Sequence, residues 1–177
     1  MKTVEDQLST YKSVHLNKSN VMTHFVGVPL IIWSLFVLLN LVEFPLFLPI
    51  LEQNLTLAIV LFAGVLVYYF ALNSALAVGA ILFLTPVLYT ALIVSKLGSA
   101  IWIAIIVFVI AWAIQFLGHH FEKAKPAFVD DLNQLLIGPL FLLAELFFAI
   151  GLLHELKQQI TPMAVNKRRS FEQAKNQ

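Results

Sequence analysis

The sequence predicts an all-α protein, a polytopic membrane helix bundle of four spans with a fifth segment that is short or re-entrant. Three observations predict it. The 177 residues are 60% hydrophobic and 12% charged, whereas a soluble domain is about half apolar and about a quarter charged. The apolar excess is gathered into long runs. Two of the connections between runs are so short that the runs they join must be antiparallel neighbours.

Crossing the hydrocarbon takes roughly 20 mostly apolar residues. Residues 21–42, 55–72, 75–94 and 99–117 qualify. Asn73-Ser74 and Lys96-Leu97-Gly98 are the two short turns. Between the first and second runs lies FPLFLPILEQN, whose prolines predict an irregular, interfacial connection. The fifth run, 137–153, is shorter, carries Glu145, and has Gly138-Pro139 and Gly151 as candidate breaks. The tail beyond it holds Lys157, Lys167, Arg168, Arg169 and Lys175, a basic excess that favours the cytoplasmic face. A full fifth crossing would carry that tail outward, so an incomplete crossing is expected. The first connection offers only Glu43 and Glu52, compatible with the opposite face. The organisation expected is a cytoplasmic arm at 1–20, the transmembrane bundle at 21–154 and a polar basic tail at 155–177. The polar first twenty residues lack the short apolar core of a cleaved signal peptide.

Composition also excludes chemistry. The absence of Cys removes disulfides, thiolate metal sites and cysteine nucleophiles. A net charge of +1 gives no electrostatic case for nucleic acid. No phosphate-binding glycine loop and no nucleophile elbow is present.

The polar residues at the ends of the runs carry the remaining signal. With the N-terminus cytoplasmic, four spans return the chain to that face at Gly118. His15 and His24, at the entrance of the first span, then share a face with His119 and His120, at the exit of the fourth. On one unbroken helix His15 and His24, nine residues apart at ~100° each, would point oppositely. They converge only if the chain bends at 17–20, where Asn17, Ser19 and Asn20 suit a turn and a helix cap. His119 and Glu122 share a helix face, and His120 points about 100° away. One His and one carboxylate on a face, joined by His from another helix, compose two-His-one-carboxylate iron sites. The competing reading is a polar helix end in which Glu122 pairs with Lys123 or Lys125. Gln115, one turn before His119, is placed to hydrogen-bond a ligating imidazole or another helix. Glu145 needs a partner or a neutral form inside its apolar segment. Asp130 and Asp131 read as a solvated helix start. His154 reads as a structural residue at a helix C-terminus.

YKSVHLNKSNVMTHFVGVP at 11–29, QFLGHHFEKAKPAFVDDL at 115–132 and, more weakly, IGPLFLLAE at 137–145 resemble the signature stretches of one small membrane family. It is the 2-hydroxy fatty acid dioxygenase family of the fungal phytosphingosine-degradation type. The resemblance runs over nearly the whole chain, with the spacing of Tyr11, His15, Asn20 and His24 its specific part. A single residue, His120, separates Gly-His from Phe-Glu-Lys, as in bacterial members. The resemblance implies an iron(II)-dependent dioxygenase that cleaves a 2-hydroxy fatty acid between its first two carbons with molecular oxygen. It implies His15, His24, His119 and Glu122 as metal ligands, with Glu122 and Lys123 in the chemistry. Lys123 or Lys125 would steer the substrate carboxylate or face lipid phosphates. Tyr11, Asn20, Gln115, His120, Asp130 and Glu145 are the candidates for supporting the centre or meeting substrate. The membrane would be a bacterial inner membrane, or the endoplasmic reticulum in a eukaryote, with lipid around the bundle and self-association compatible with it. The rival readings are a non-catalytic lipid-binding protein and a proton-coupled transporter using Glu145. Lipid hydroxylases and desaturases use larger histidine sets than the 5 histidines here.

Overall fold

The computed structural model describes residues 2–50 and 53–175; Glu52 and the side chain of Lys175 lie outside the described residues. The described chain is mostly helical. Three helices are long and apolar enough to cross a membrane: α2 (Lys18–Leu39), α4 (Ser74–Ser95) and α5 (Ala100–Glu122). The chain divides into two compact units, Met1–Phe25 with Gln115–Gln177, and Val26–Ile114. Helices α2 and α5 each run from one unit into the other.

The unit Val26–Ile114 holds most of the apolar length. Its expected irregular connection is an antiparallel hairpin of β1 (Glu43–Leu48) and β2 (Gln53–Thr56). The register shifts between Phe44 and Phe47, which places Pro45 at the irregularity, where a residue without an N–H is tolerated. This hairpin also shortens the second expected span. Leu55 and Thr56 belong to β2, and Thr56 caps α3 (Leu57–Leu72). Helix α3 has 16 residues, about 24 Å at 1.5 Å each, a turn or so short of the roughly 30 Å hydrocarbon core. Asn73 closes the hairpin to α4, its Oδ1 accepting from the Leu76 amide at 3.0 Å. Ala58, Ala91, Ala100 and Ala104 are fully or almost fully buried with Phe36 and Val37. Small residues of this kind let helix backbones approach closely where no hydrophobic force separates helix from lipid.

The other unit is built from polar and apolar helix ends. The expected N-terminal arm is largely helix α1 (Val4–Ser13), started by Thr3 Oγ1, which accepts from the Asp6 amide at 3.2 Å. Glu5 and Asp6 in its first turn suit the positive end of the helix dipole. After a short 3₁₀ turn at Ala127–Val129 come α6 (Gln134–Ala149) and α7 (His154–Lys175). The fifth run is α6, whose 16 residues, like those of α3, fall a turn or so short of the hydrocarbon core and are mostly buried. Gly138 and Pro139 lie inside that helix and do not break it; the chain turns instead at Gly151 (φ +82) and Leu153 (φ 53). His154 therefore opens α7 rather than closing the preceding helix, with its Nε2 2.9 Å from Gln158. The expected tail is this helix α7, which packs chiefly against α1. Lys167 fastens the pair, donating to Asp6 Oδ1 at 2.6 Å and Thr10 Oγ1 at 2.6 Å.

Candidate metal centre

Helix α1 ends at Ser13, but one further turn forms because the His15 amide donates to the Lys12 carbonyl at 2.9 Å. That turn lays the His15 ring over Tyr11, with centroids 4.1 Å apart and planes within 2°. The chain then bends at Leu16-Asn17, at the start of the stretch 17–20 where the bend is expected, and residues 18–20 are already helical. Asn17 rather than Asn20 starts α2, its Oδ1 accepting from the Ser19 amide at 2.8 Å. Asn20 sits within the helix and points back, donating to the Val14 carbonyl at 3.1 Å. One turn on, His24 faces His15.

His15, His24 and His119 are all buried, and one ring nitrogen from each lies within 4.8 Å of the others. Ring centroids are 4.4 Å apart for His15 and His24, 4.9 Å for His15 and His119, and 5.0 Å for His24 and His119. The tautomers of two rings follow from their partners. His15 Nδ1 lies 2.6 Å from the Tyr11 carbonyl, and His24 Nδ1 lies 2.8 Å from the Asn20 carbonyl. A carbonyl only accepts, so both Nδ1 atoms carry the proton and both Nε2 atoms carry a lone pair. Those two Nε2 atoms face each other at 3.0 Å. Two lone pairs at that distance repel unless a cation lies between them. Burial, followed by the charges of His24, His119 and Lys12 and against the pull of the Tyr11 carbonyl, holds His15 well below the ordinary imidazole range. The ring is therefore neutral at physiological pH, the form that ligates metal. A separation of 3.0 Å is also about the edge between neighbouring ligands on a metal with bonds of about 2.1 Å. His119 Nδ1 is buried with no hydrogen-bond partner among the described residues. The residues present fit a divalent transition metal held by three neutral imidazoles, with the remaining positions open.

Glu122 is treated differently. Its Oε1 accepts from the Leu16 amide at 3.2 Å, and its Oε2 accepts from the Asn17 amide at 2.8 Å and from Asn20 Nδ2 at 3.2 Å. Arg168 adds an ion pair at 3.7 Å to Oε1 and donates to the Glu122 carbonyl at 3.1 Å. The carboxylate thus holds the α1–α2 turn that sets His15 against His24; it is not brought into the histidine group, and it pairs with neither Lys123 nor Lys125. Lys123 ends α5 in the left-handed region (φ 57) and is exposed, a helix C-terminal position outside the triad. Lys125 pairs with Asp130 at 2.6 Å on the surface, and His120 is exposed beside Phe121. Asp131 meets Lys2 at 2.9 Å. Glu145 has found its partner in Lys12, which also lies 5.6 Å from the Phe141 ring. Gln115 is 4% exposed, and neither its Oε1 nor its Nε2 has a partner among the described residues. The expected hydrogen bond from Gln115 to an imidazole is not made.

Lys12 and Phe141 are not singled out from the sequence, and Arg168 enters there only as part of the tail's basic excess. Lys12 lies one turn before His15, a spacing that could have flagged it. Phe141 covers His15 and Tyr11, at 5.7 and 5.0 Å between centroids, from within the weakest signature stretch. Arg168 has no local signal at all, since its partner is 46 residues away.

Residues 1–150 match the family model described as 2-hydroxy-palmitic acid dioxygenase Mpo1-like. The chain is also 33% identical over 158 residues to 2-hydroxy-palmitic acid dioxygenase MPO1 of Saccharomyces cerevisiae, covering 87% of this chain and 85% of that protein. No solved structure is matched. With its signature stretches folded around three buried histidines, this chain belongs to the Mpo1-like family.

Proposed function

We propose that this protein is an iron(II)-dependent dioxygenase that shortens 2-hydroxy fatty acids by one carbon. The observation that carries the proposal is the His15–His24 pair, whose lone pairs face each other at 3.0 Å beside His119. The name of the yeast relative supplies the substrate class. Iron(II) held by His15, His24 and His119 would supply open positions at which a 2-hydroxy carboxylate chelates and dioxygen is activated. In the overall reaction the C1–C2 bond breaks. C2 rises from alcohol to acid, C1 leaves at the level of carbon dioxide, and dioxygen takes up the four electrons, with one water formed.

The chain's own residues prepare that reaction. The carbonyls of Tyr11 and Asn20 take the Nδ1 protons and leave the Nε2 lone pairs inward. Tyr11 and Phe141 cover the His15 ring and keep water from it. Glu122 acts as the anchor of the turn between His15 and Asn20. In the membrane, α3 would complete a four-span bundle with α2, α4 and α5. The arms at 1–20 and 155–177 and the metal centre would then lie at the cytoplasmic face of the 21–154 bundle, and the substrate's acyl chain would stay in the lipid.

Elemental analysis of protein purified anaerobically in detergent, beside His24→Ala, tests the centre. About one iron per chain, lost in the variant, supports it, and conversion of 2-hydroxyhexadecanoate to pentadecanoate completes the test. No metal in either protein after iron(II) is supplied would leave the non-catalytic lipid-binding reading. Metal-independent proton flux abolished by Glu145→Gln would favour the transporter.

A further inference from the structure

We propose that Gln115 recognises the 2-hydroxy acid head of the substrate through both atoms of its side-chain amide. The inference rests on the functional reading above and deepens it. Gln115 lies one turn before His119 on α5, and residues four apart on a helix share a face. Its side chain is 4% exposed, and neither amide atom has a partner among the described residues. The next polar group on that face, His119 Nδ1, is in the same condition. The unit's other buried amides with an open oxygen, Asn20 and Gln134, still use their nitrogen: Asn20 Nδ2 is shared between Val14 and Glu122, and Gln134 Nε2 donates to Gln7 Oε1 at 2.9 Å. Gln115 has both atoms open. A buried donor and acceptor left open together are costly, and their position beside a metal-ligating ring points to a ligand that offers both.

A 2-hydroxy carboxylate is such a ligand. Its carboxylate accepts from Gln115 Nε2, and its hydroxyl donates to Gln115 Oε1. An unsubstituted fatty acid fills only the first of these, which leaves Oε1 desolvated and unpaired. A site built to hydrogen-bond a substrate hydroxyl discriminates strongly against the analogue that lacks it. Gln115 thereby selects hydroxylated over plain fatty acids, a role distinct from holding the metal.

The experiment compares wild type with Gln115→Met, which keeps the side chain's length, and Gln115→Leu. Binding of radiolabelled 2-hydroxyhexadecanoate and hexadecanoate to iron(II)-loaded protein in detergent is measured without oxygen, alongside iron content and the melting temperature of the metal-free forms. Wild type is expected to prefer the hydroxy acid. Both variants should bind it about 10- to 100-fold more weakly, the range of one hydrogen bond to a charged group, with iron content unchanged and a smaller loss for hexadecanoate, which gives up the same carboxylate bond but no longer strands Oε1. Metal-free Gln115→Met should melt no lower than wild type, because replacing an unpaired buried amide by an apolar group of similar shape removes a penalty. Retained preference in both variants overturns this inference alone. So does loss of iron, an equal loss for both acids, or a lower melting temperature in both, since each marks a structural role. A wild type with no preference for the hydroxy acid overturns the substrate reading together with this one.

Discussion

Glu122 Oε2 accepts from the main-chain amide of Asn17 at 2.8 Å, across 105 residues of sequence. The last residue of α5 thus holds the first residue outside α2, and the same carboxylate takes the Leu16 amide and the Asn20 side chain. Donors converge on it as on an anion site. The consequence separates an anchor from a ligand. Glu122→Gln keeps one acceptor oxygen and is expected to retain the metal with a modest loss of stability. Glu122→Ala strands two amides and should cost about 2–6 kcal/mol, at about 1–3 for each unsatisfied group, with metal loss following from the displaced turn. Iron content and melting temperature of the two variants decide it. Complete metal loss in a stable Glu122→Gln protein would make the carboxylate a ligand after all.

Gly118 sits where α5 passes the start of α2 within this unit. A Cβ there would lie 2.1 Å from Thr23 Oγ1 and 2.5 Å from Asn20 Oδ1, far inside contact distance. Gly118→Ala must displace the Thr23 and Asn20 side chains on α2, the helix that carries His24. The expected cost is about 1–3 kcal/mol, the range for overpacking, together with a large drop in metal affinity. Gly98→Ala, where nothing lies within 4 Å, is the control and should match wild type in both measurements. An unchanged iron content in Gly118→Ala would show that the site tolerates the displacement.

Gly118 also shows what could be read from the sequence and what could not. Long apolar runs locate α2, α4 and α5 because twenty apolar residues in a row have few other uses. The histidines at their ends stand out because polar groups there are expensive. The start of α3 is not legible in the sequence because Leu55 and Thr56 are as compatible with a strand edge as with a span, and only pairing with Glu43 and Phe44 decides. The contacts of Glu122 are hidden for another reason. A carboxylate one turn from a histidine suits a ligand and an anchor equally, and the main-chain amides that it holds lie more than a hundred residues away. The polar, basic character of the tail is plain in the sequence. Its docking on α1 depends on Lys167 meeting Asp6 across 161 residues, which no local pattern encodes.

Arg168 extends the same anchor from the far end of the chain. It donates to the Glu122 carbonyl at 3.1 Å, approaches the Glu122 carboxylate at 3.7 Å and pairs with Glu172 at 2.6 Å. The planar guanidinium makes these contacts from one position, which an ammonium cannot. Arg168→Lys and Arg168→Ala are both expected to lower stability, by about 1–3 kcal/mol for the alanine variant, and to speed metal release to a chelator. Chelator-driven release rates, measured at equal protein concentration, check this. Rates equal to wild type would confine α7 to a packing role.

Lys12 and Glu145 form an ion pair whose side chains are 14% and 21% exposed. The pair joins α1 to α6 beside Phe141, which also covers His15. Removing one partner of a largely buried pair typically costs about 3–5 kcal/mol, because the other charge is left without compensation. Solvent access at this site places the expectation for Glu145→Ala at the lower end of that range. The double variant Lys12→Met with Glu145→Leu should recover most of the loss, since apolar residues of similar volume replace buried pairs at little net cost. Glu145→Gln carries the functional question. A Glu145 that serves only to hold Lys12 leaves iron content unchanged and lowers turnover through stability alone, so that turnover at low temperature approaches wild type. A deficit that persists at low temperature, with iron and melting point intact, would place the Lys12–Glu145 pair at the substrate itself.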